Sequence, residues 1–443
     1  MLSEHLLNAI VGAFAVIGLV FTAKASGFLL EFVFLYPLFM AYVWMAGGIY
    51  FDLHWERRSL RPDDVPEIAD PPLVSILVPC FNEADNAAET VAGLAAQNYP
   101  NFEIIAINDG SRDETGLILE RLTAVHPNLR VIHHAANQGK AMALRMGALA
   151  ARGEFLVCID GDAVLHPNAV AHLVAPMVKH PRVGAVTGNP RIRTRSTLLG
   201  RIQVGEFSSI IGLIKRAQRV YGQVFTVSGV IAAFRRRALH RIGYWGLDMA
   251  TEDIDVSWAL EVDHWSIQYE PAAICWILMP ETFKGLWRQR LRWARGGAEV
   301  FRKHARTIWT WRRRRMWGIA LEYALSAAWA YAFVLSLALW GLGHFVRMPA
   351  GLNVPTILPP AFWGLMLAAT NLMQVAVAVL IERRYEPRLA RALAWIIWYP
   401  MVYWLISLVT TVVGFPLALL RTRPARAVWT SPDRGFRSFP PSP

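Results

Sequence analysis

Five stretches, 6–22, 32–51, 316–342, 361–381 and 393–420, are apolar over lengths that reach or approach the roughly 20 residues a helix needs to cross a bilayer core. A chain with such runs folds partly in lipid, and this constrains it more than any other feature. The first run has the length of a secretory signal, but it lacks a basic leader flank and a second run follows closely, so it reads as a retained span. With 54% hydrophobic and 18% charged residues, the chain is too apolar for an ordinary soluble protein and too charged to lie wholly in the membrane. The expected organisation is two spans within 1–52, a soluble domain over 53–300, a basic juxtamembrane segment at 301–315, about three spans over 316–420 and a basic, Pro-rich tail at 421–443.

The net charge of +12 admits nucleic-acid binding, but many arginines sit beside the apolar runs (Arg383 and Arg384, those at 312–315, and Arg421, Arg423 and Arg426). Retention on the cytoplasmic side explains them more simply. Arg57, Arg58 and the arginines at 312–315 place the soluble domain in the cytoplasm, and two spans before it place the N-terminus there too. Three later spans would put the tail outside, against its own Arg421, Arg423, Arg426 and Arg434. Because the last run holds Pro400 and Pro416, part of it can lie in the interface, and the side of the tail stays open. Cys80, Cys158 and Cys275 lie far apart in apolar settings without metal-ligand spacing, and read as reduced, buried residues of a cytosolic domain.

Between the second and third spans the pattern changes. Apolar runs at 73–79, 102–109, 129–135 and 155–160 read as strands, and helical patterns at 84–95, 113–124 and 140–151 follow three of them. This alternation predicts an α/β domain with a mostly parallel sheet covered on both faces, which binds ligands at the carboxyl ends of its strands. Three strands end in polar candidates: Asn82 and Glu83, Asn108 and Asp109, Asp160 and Asp162.

In "CIDGDAV", Asp160 and Asp162 flank Gly161. A turn there lets both carboxylates face one site, where hard oxygens suit Mg2+ or Mn2+ carrying a pyrophosphate; a solvated turn is the plainer alternative. Asp109 in "INDGSRDET" is either a turn residue or an acceptor for a nucleotide base or ribose. Lys140 opens a helix in "NQGKAMA", which favours an anion, although the sequence is not a P-loop. In "MATEDIDVSWAL", Glu252, Asp253 and Asp255 either complement a helix start capped by Thr251 or include a general base. In "QRLRWARGG", Arg290, Arg292 and Arg295 can all be membrane anchors. Yet Gln289 and Trp293, four apart, share a helix face that offers an amide and an indole to a sugar, while arginine can pair with pyrophosphate.

Taken together, "VPCFNE", "NDGS", "NQGKAMAL", "DGD", "TED" and "QRLRW" resemble, in order and spacing, the processive family 2 glycosyltransferases, which include cellulose, chitin and hyaluronan synthases. "TGNPRIRTRSTLLGRIQVGEFSSIIGLIKR", "FTVSGVIAAFRR", "CWILMPETFKGLW" and "SPDRG" are similar to the bacterial poly-β-1,6-N-acetyl-D-glucosamine synthases of that family. The resemblance covers nearly the whole chain. It implies a GT-A (Rossmann-like) domain inserted between transmembrane helices, with UDP-N-acetylglucosamine as donor and a growing polysaccharide as acceptor. It puts Asn82, Glu83 and Asp109 at the uridine and Lys140 by the nucleotide. Asp160 and Asp162 would bind nucleotide and a divalent cation, and Asp253 would be the catalytic base. Gln289, Arg292 and Trp293 would lie at the acceptor and pyrophosphate end, with Ser228–Gly229 on the acceptor side. It further implies a multi-pass protein of the bacterial inner membrane, a small two-span partner subunit and regulation by cyclic di-GMP. The basic run 191–195 is a candidate for the last of these, or else a solvated face. Glu322, Asn371 and Gln374 either line a polymer exit path or make interhelical hydrogen bonds. The rivals are a synthase of another β-linked polymer, a transferase of one sugar to a lipid, and a non-catalytic nucleotide-binding membrane protein.

Overall fold

The structure is a computed structural model that describes residues 4–359, 361–398 and 404–420, with side chains described from residue 26 onward. The Val- and Ile-rich runs of the soluble domain form eight strands: β1 Val74–Cys80, β2 Phe102–Asn108, β3 Leu129–His133, β4 Phe155–Ile159, β5 Val164–Leu165, β6 Val183–Ile192, β7 Ile231–Arg235 and β8 Ser266–Ile277. They make one sheet in the order β3-β2-β1-β4-β7-β6-β8-β5. The pairs β1–β2, β2–β3, β1–β4 and β6–β8 are parallel; β4–β7, β6–β7 and β5–β8 are antiparallel. The expected strand–helix alternation therefore yields the expected parallel half, and β7 enters antiparallel between β4 and β6.

The strands read as continuous apolar runs because both faces are covered. Ile76, Val78, Ile104 and Val157 belong to one buried cluster, whereas Leu77, Ile105, Ile107 and Leu156 belong to another, so neighbouring residues face opposite cores. Burying each such side chain stabilises by roughly 1.5–3 kcal/mol. The covering helices are α2 Ala87–Ala95, α3 Thr115–Thr123, α4 Lys140–Ala150, α5 Ala169–Lys179, α6 Leu198–Gly205, α7 Gly212–Tyr221, α8 Arg236–Ile242, α9 Glu252–Val262 and α10 Phe283–Ile308. Helix α10 runs past the boundary expected at residue 300. Cys80, Cys158 and Cys275 are buried, as anticipated, and none is in a disulfide among the described residues.

Outside this domain lie α1 Glu4–His54, α11 Trp317–Gly343, α12 Ala361–Glu382, α13 Leu393–Ile396 and α14 Leu405–Leu420. Among the described residues, three segments are long and apolar enough to cross a membrane: Ser26–Arg58, Trp311–Gly343 and Phe362–Glu382. The two N-terminal stretches expected to be separate spans lie on the single helix α1. In the last apolar run the described residues include the short α13 and the 16-residue α14, and Pro400 and the basic tail lie outside the described residues. Close packing holds α14 on α10: a Cβ added at Gly414 would stand 3.0 Å from Ala294 Cβ.

The chain divides into two compact units, one of residues 1–43 with 322–374, the other of 44–321 with 375–443. In the first, Tyr36 Oη lies 2.7 Å from Ser326 Oγ and donates to the Glu322 carbonyl oxygen. Gln374 is buried. In the second, four nearly inaccessible side chains form an ionic cluster. Arg216 on α7 bridges Glu56, just after α1, at 2.5 and 2.7 Å, and also pairs with Glu382 at the end of α12. Glu382 is shared with Arg191 of β6. Removing one partner of such a pair strands a buried charge and costs about 3–5 kcal/mol. Of the arginines in the 191–195 run only Arg191 is buried; Arg193 pairs with Glu89 at 2.8 Å and the exposed Arg195 with Glu386 at 2.7 Å. Each of the three arginines thus has a carboxylate partner from a neighbouring element.

Candidate active site

The strand ends converge as the sequence predicts. After β1 the chain turns at Asn82, with φ +55°, a left-handed conformation asparagine tolerates. The turn is laced to the loop after β2: Asn82 N donates to Ser111 Oγ at 3.0 Å, and Glu83 N donates to Thr115 Oγ1 at 2.7 Å. Gly161, between Asp160 and Asp162, lies against this turn. A Cβ there would come within 3.1 Å of Cys80 Sγ, Glu83 Cγ and Pro79 O, so glycine at its centre lets the Asp-Gly-Asp segment close onto β1 without displacing these neighbours.

Lys140 organises the middle of the site. Its ammonium pairs with Asp160, donates to the Gly229 carbonyl at 3.0 Å and lies 3.4 Å from Glu252 Oε1. Burial works against its charge, but Asp160 and Glu252 outweigh burial and raise its pKa. One lysine thereby ties the end of β4, the Ser228–Gly229 turn and the start of α9 together. It faces carboxylates instead of standing free for an anion, which corrects the simple reading of an anion-binding helix start. The amides there are not free either. Gln138 N and Gly139 N donate to the Asp109 carboxylate at 2.9 and 2.8 Å, and His134 Nδ1 lies 2.7 Å from it. Asp109, with no exposed surface, is therefore a buried brace for the 137–139 loop and not an open acceptor at the strand end. A buried carboxylate needs such donors, and this loop supplies them.

Asp253 lies in the first turn of α9. A Cβ on Gly229 would stand 3.1 Å from its Oδ2, so glycine is what lets the turn approach the carboxylate. Asp253, Glu252, Ser228 and Gly229 line one cavity. Burial first, then the Glu252 charge, push the Asp253 pKa up to about 6, against the pull of Lys140 and Arg292. Asp162 rises to about 7 through burial and the Asp160 charge. Two adjacent carboxylates, one held away from its charged form by the other, suit a hard divalent cation that keeps other oxygen ligands from its substrate.

The α10 helix carries the remaining candidates. Gln289 and Trp293 share a helix as expected, but their neighbourhoods differ. Gln289 Oε1 is buried without a hydrogen-bond partner, its Nε2 near Met279 Sδ. Trp293 packs near Phe207, with ring centroids 6.2 Å apart, under the Arg290 guanidinium, 4.2 Å from its centroid. Arg292 is exposed, its Nη1 3.4 Å from the Ala250 carbonyl, and its charge acts on Asp253. Arg290 is not a membrane anchor: it is buried and pairs with Glu206 at 2.5 Å. Arg295 pairs with Glu299 at 3.0 Å.

Three contributors escaped the sequence reading. Glu206 fixes Arg290 beside Trp293. Lys215 of α7 reaches Ser228 from below, with Nζ to Oγ 2.7 Å. Gly296 is where α10 meets the Thr251 side chain; a Cβ there would stand 2.3 Å from Thr251 Oγ1. Only Gly296 left a trace in the sequence, as a glycine inside a helical pattern.

The chain is similar to known proteins. The profile "Glycosyltransferase like family 2" covers residues 71–296. The chain belongs to glycosyltransferase family 2. The poly-beta-1,6-N-acetyl-D-glucosamine synthase of Staphylococcus epidermidis is 37% identical over 414 residues, 91% of this chain and 98% of that protein. The synthase of the same name from Staphylococcus aureus strain MSSA476 is 37% identical over 409 residues, again 91% and 98%. Among solved structures, mannosyltransferase PcManGT from Pyrobaculum calidifontis, in complex with GDP-Man and Mn2+, superposes with TM-score 0.58 at 21% identity over 89% of this chain and 100% of its own. That likeness concerns the fold alone, and the catalytic domain of this family 2 glycosyltransferase is a GT-A domain.

Proposed function

We propose that this glycosyltransferase is a processive, inverting enzyme of the bacterial inner membrane. It transfers N-acetylglucosamine from UDP-N-acetylglucosamine to a growing β-1,6-linked polymer and passes the product across the membrane. The observation that carries the reading is the Asp253 carboxyl, raised to about 6 in a cavity it shares with Ser228 and Gly229. Such a group is ionised at neutral pH yet basic enough to accept a proton in a transition state. Sugar and linkage rest on the names of the relatives.

Asp253 removes the O6 proton of the acceptor sugar as that oxygen attacks the anomeric carbon. The bond to UDP breaks on the opposite face, so an α-linked donor gives a β linkage in one displacement. Asn82, Glu83 and Asp160 hold the nucleotide, while Asp109 shapes its pocket through the 137–139 loop. Arg292, exposed on α10, reaches the pyrophosphate and offsets charge developing on the leaving group. Gln289 and Trp293 meet the acceptor, and the buried Gln289 Oε1 has no hydrogen-bond partner within the protein. Asp160 and Asp162 would hold a Mg2+ or Mn2+ ion, which neutralises the departing diphosphate when bound. A two-span partner responding to cyclic di-GMP fits this reading.

The test uses membranes containing the full chain, incubated with a panel of UDP-sugars. Long polymer from UDP-N-acetylglucosamine alone, degraded by a β-1,6-N-acetylglucosaminidase, is the expected result. A one-sugar lipid, or a polymer resistant to that enzyme, would overturn the assignment. Asp253→Asn should abolish synthesis while leaving UDP binding intact.

A further inference from the structure

The chemistry above leaves Lys215 without a task. It lies on α7, is almost inaccessible, and donates to two hydroxyl oxygens, Thr187 Oγ1 at 3.0 Å and Ser228 Oγ at 2.7 Å. Its ammonium also lies 5.7 Å from the centroid of the Tyr269 ring. Among the described residues no carboxylate stands within ion-pair distance of it. A buried ammonium without a counter-ion is costly, and an apolar side chain of similar length would fill the space at lower cost.

The geometry shows what the charge accomplishes. An ammonium only donates, so the Ser228 oxygen turns a lone pair toward Lys215 and its hydrogen is free to point elsewhere. Thr187 Oγ1 accepts from Lys215 and also from Ser228 N, at 2.8 Å. Ser228 is thus fixed at both its backbone and its hydroxyl. The next residue, Gly229, is held from the other side by Lys140 and lies against Asp253 Oδ2. Two lysines therefore clamp one two-residue turn, and that turn and Asp253 share a cavity.

We propose that Lys215 is a positioning residue for sugar transfer: it fixes the Ser228–Gly229 turn against the Asp253 carboxylate, directs the Ser228 hydroxyl hydrogen into their common cavity toward an acceptor-sugar oxygen, and keeps a positive charge beneath the base. The inference rests on Asp253 being that base. The other charged groups acting on Asp253 are Glu252 on its own helix, Lys140 from α4 and Arg292 from α10. Around Lys215 stand Tyr269 from β8, Asp253 from α9 and its neighbour Arg216, which is tied to Glu56 and Glu382. Burial lowers the Lys215 pKa to about 7, with Asp253 opposing the fall, so the lysine is still charged where the base titrates. That positive charge favours ionised Asp253. Its removal raises the pKa of the base and moves the acidic limb of the rate profile to higher pH.

The experiment compares full-length wild type with Lys215→Met, which keeps the apolar stem, in membranes across a pH series. The expected result is a kcat about 10- to 100-fold lower, a KM for the UDP-sugar within about twofold, UDP affinity unchanged and the acidic limb displaced upward. Lys215→Ala should regain activity with added ethylamine. If neither variant accumulates, Thr187→Val keeps the lysine and removes one of its acceptors; it should lower kcat less and move the limb in the same direction. Wild-type kcat and an unmoved limb in Lys215→Met overturn the proposal, as does a rise in KM alone. For Thr187→Val, an unmoved limb has the same force. Asp253→Asn separates the two levels: an active Asp253→Asn enzyme refutes the base, whereas an inactive one beside an unaffected Lys215→Met enzyme refutes only the role of Lys215.

Discussion

Gly296→Ala tests how the two halves of the site are joined. Helix α10, which carries Gln289, Arg292 and Trp293, meets the start of α9 at this residue. The added Cβ would stand 2.3 Å from Thr251 Oγ1 and 2.5 Å from Thr251 Cγ2. Thr251 is buried and β-branched and cannot swing aside without moving the backbone two residues before Asp253. Overpacking of this kind costs about 1–3 kcal/mol, and replacing a mid-helix glycine with alanine returns about 1 kcal/mol, so the net loss of stability is roughly 0–2 kcal/mol. Catalysis should suffer far more, because a displacement of about 1 Å in a positioned group can lower the rate on the order of 100-fold. The assay is initial rate of polymer synthesis beside a thermal melt with UDP present. A second variant isolates the contact. Thr251 Oγ1 makes no hydrogen bond, so adding Thr251→Ala to Gly296→Ala removes the two closest contacts, leaves Cβ facing Cβ at 2.9 Å, and should restore part of the rate. A fully active Gly296→Ala enzyme, or a double variant no better than the single one, would refute the reasoning.

Synthesis should fall as pH drops through about 6, where Asp253 becomes protonated; a rate unchanged down to pH 5 would be inconsistent with this base. Folding raises the Asp162 pKa from 3.8 to about 7. The metal-free protein therefore loses stability as pH rises between these values, and in EDTA at pH 8 Asp162→Asn should melt higher than wild type while losing Mn2+-dependent UDP binding. Arg290→Ala leaves Glu206 buried and unpaired and should cost about 3–5 kcal/mol, whereas Arg290→Met with Glu206→Gln should cost less, as measured by melting in detergent.

Much of the site was legible because its signals are local. Strand runs ending in Asn82 and Glu83, Asn108 and Asp109, and Asp160 and Asp162 announce both the elements and the edge that holds the candidate site, and the first three helices of the soluble domain follow within a few residues of expectation. The failures are those of pairing. Arg290 and the 191–195 arginines look like surface charge in sequence, yet their counter-ions, Glu206, Glu382, Glu89 and Glu386, lie up to 191 positions away. Asp109 looks like an open acceptor until the 137–139 loop folds back onto it.

The order of apolar runs and strand–helix alternation is enough to specify a membrane-associated α/β chain, because hydrophobic periodicity is written residue by residue. The sequence likewise supplied the chemical groups: the carboxylates, the lysine that opens α4 and the Gln–Arg–Trp face. Tertiary structure alone decided which of them are free to act. Whether a charge is a brace or a reagent depends on the partner that reaches it, and Lys215, Glu206 and Gly296 gained their places only when α7, the segment after α6 and α10 closed around Asp253 and Trp293.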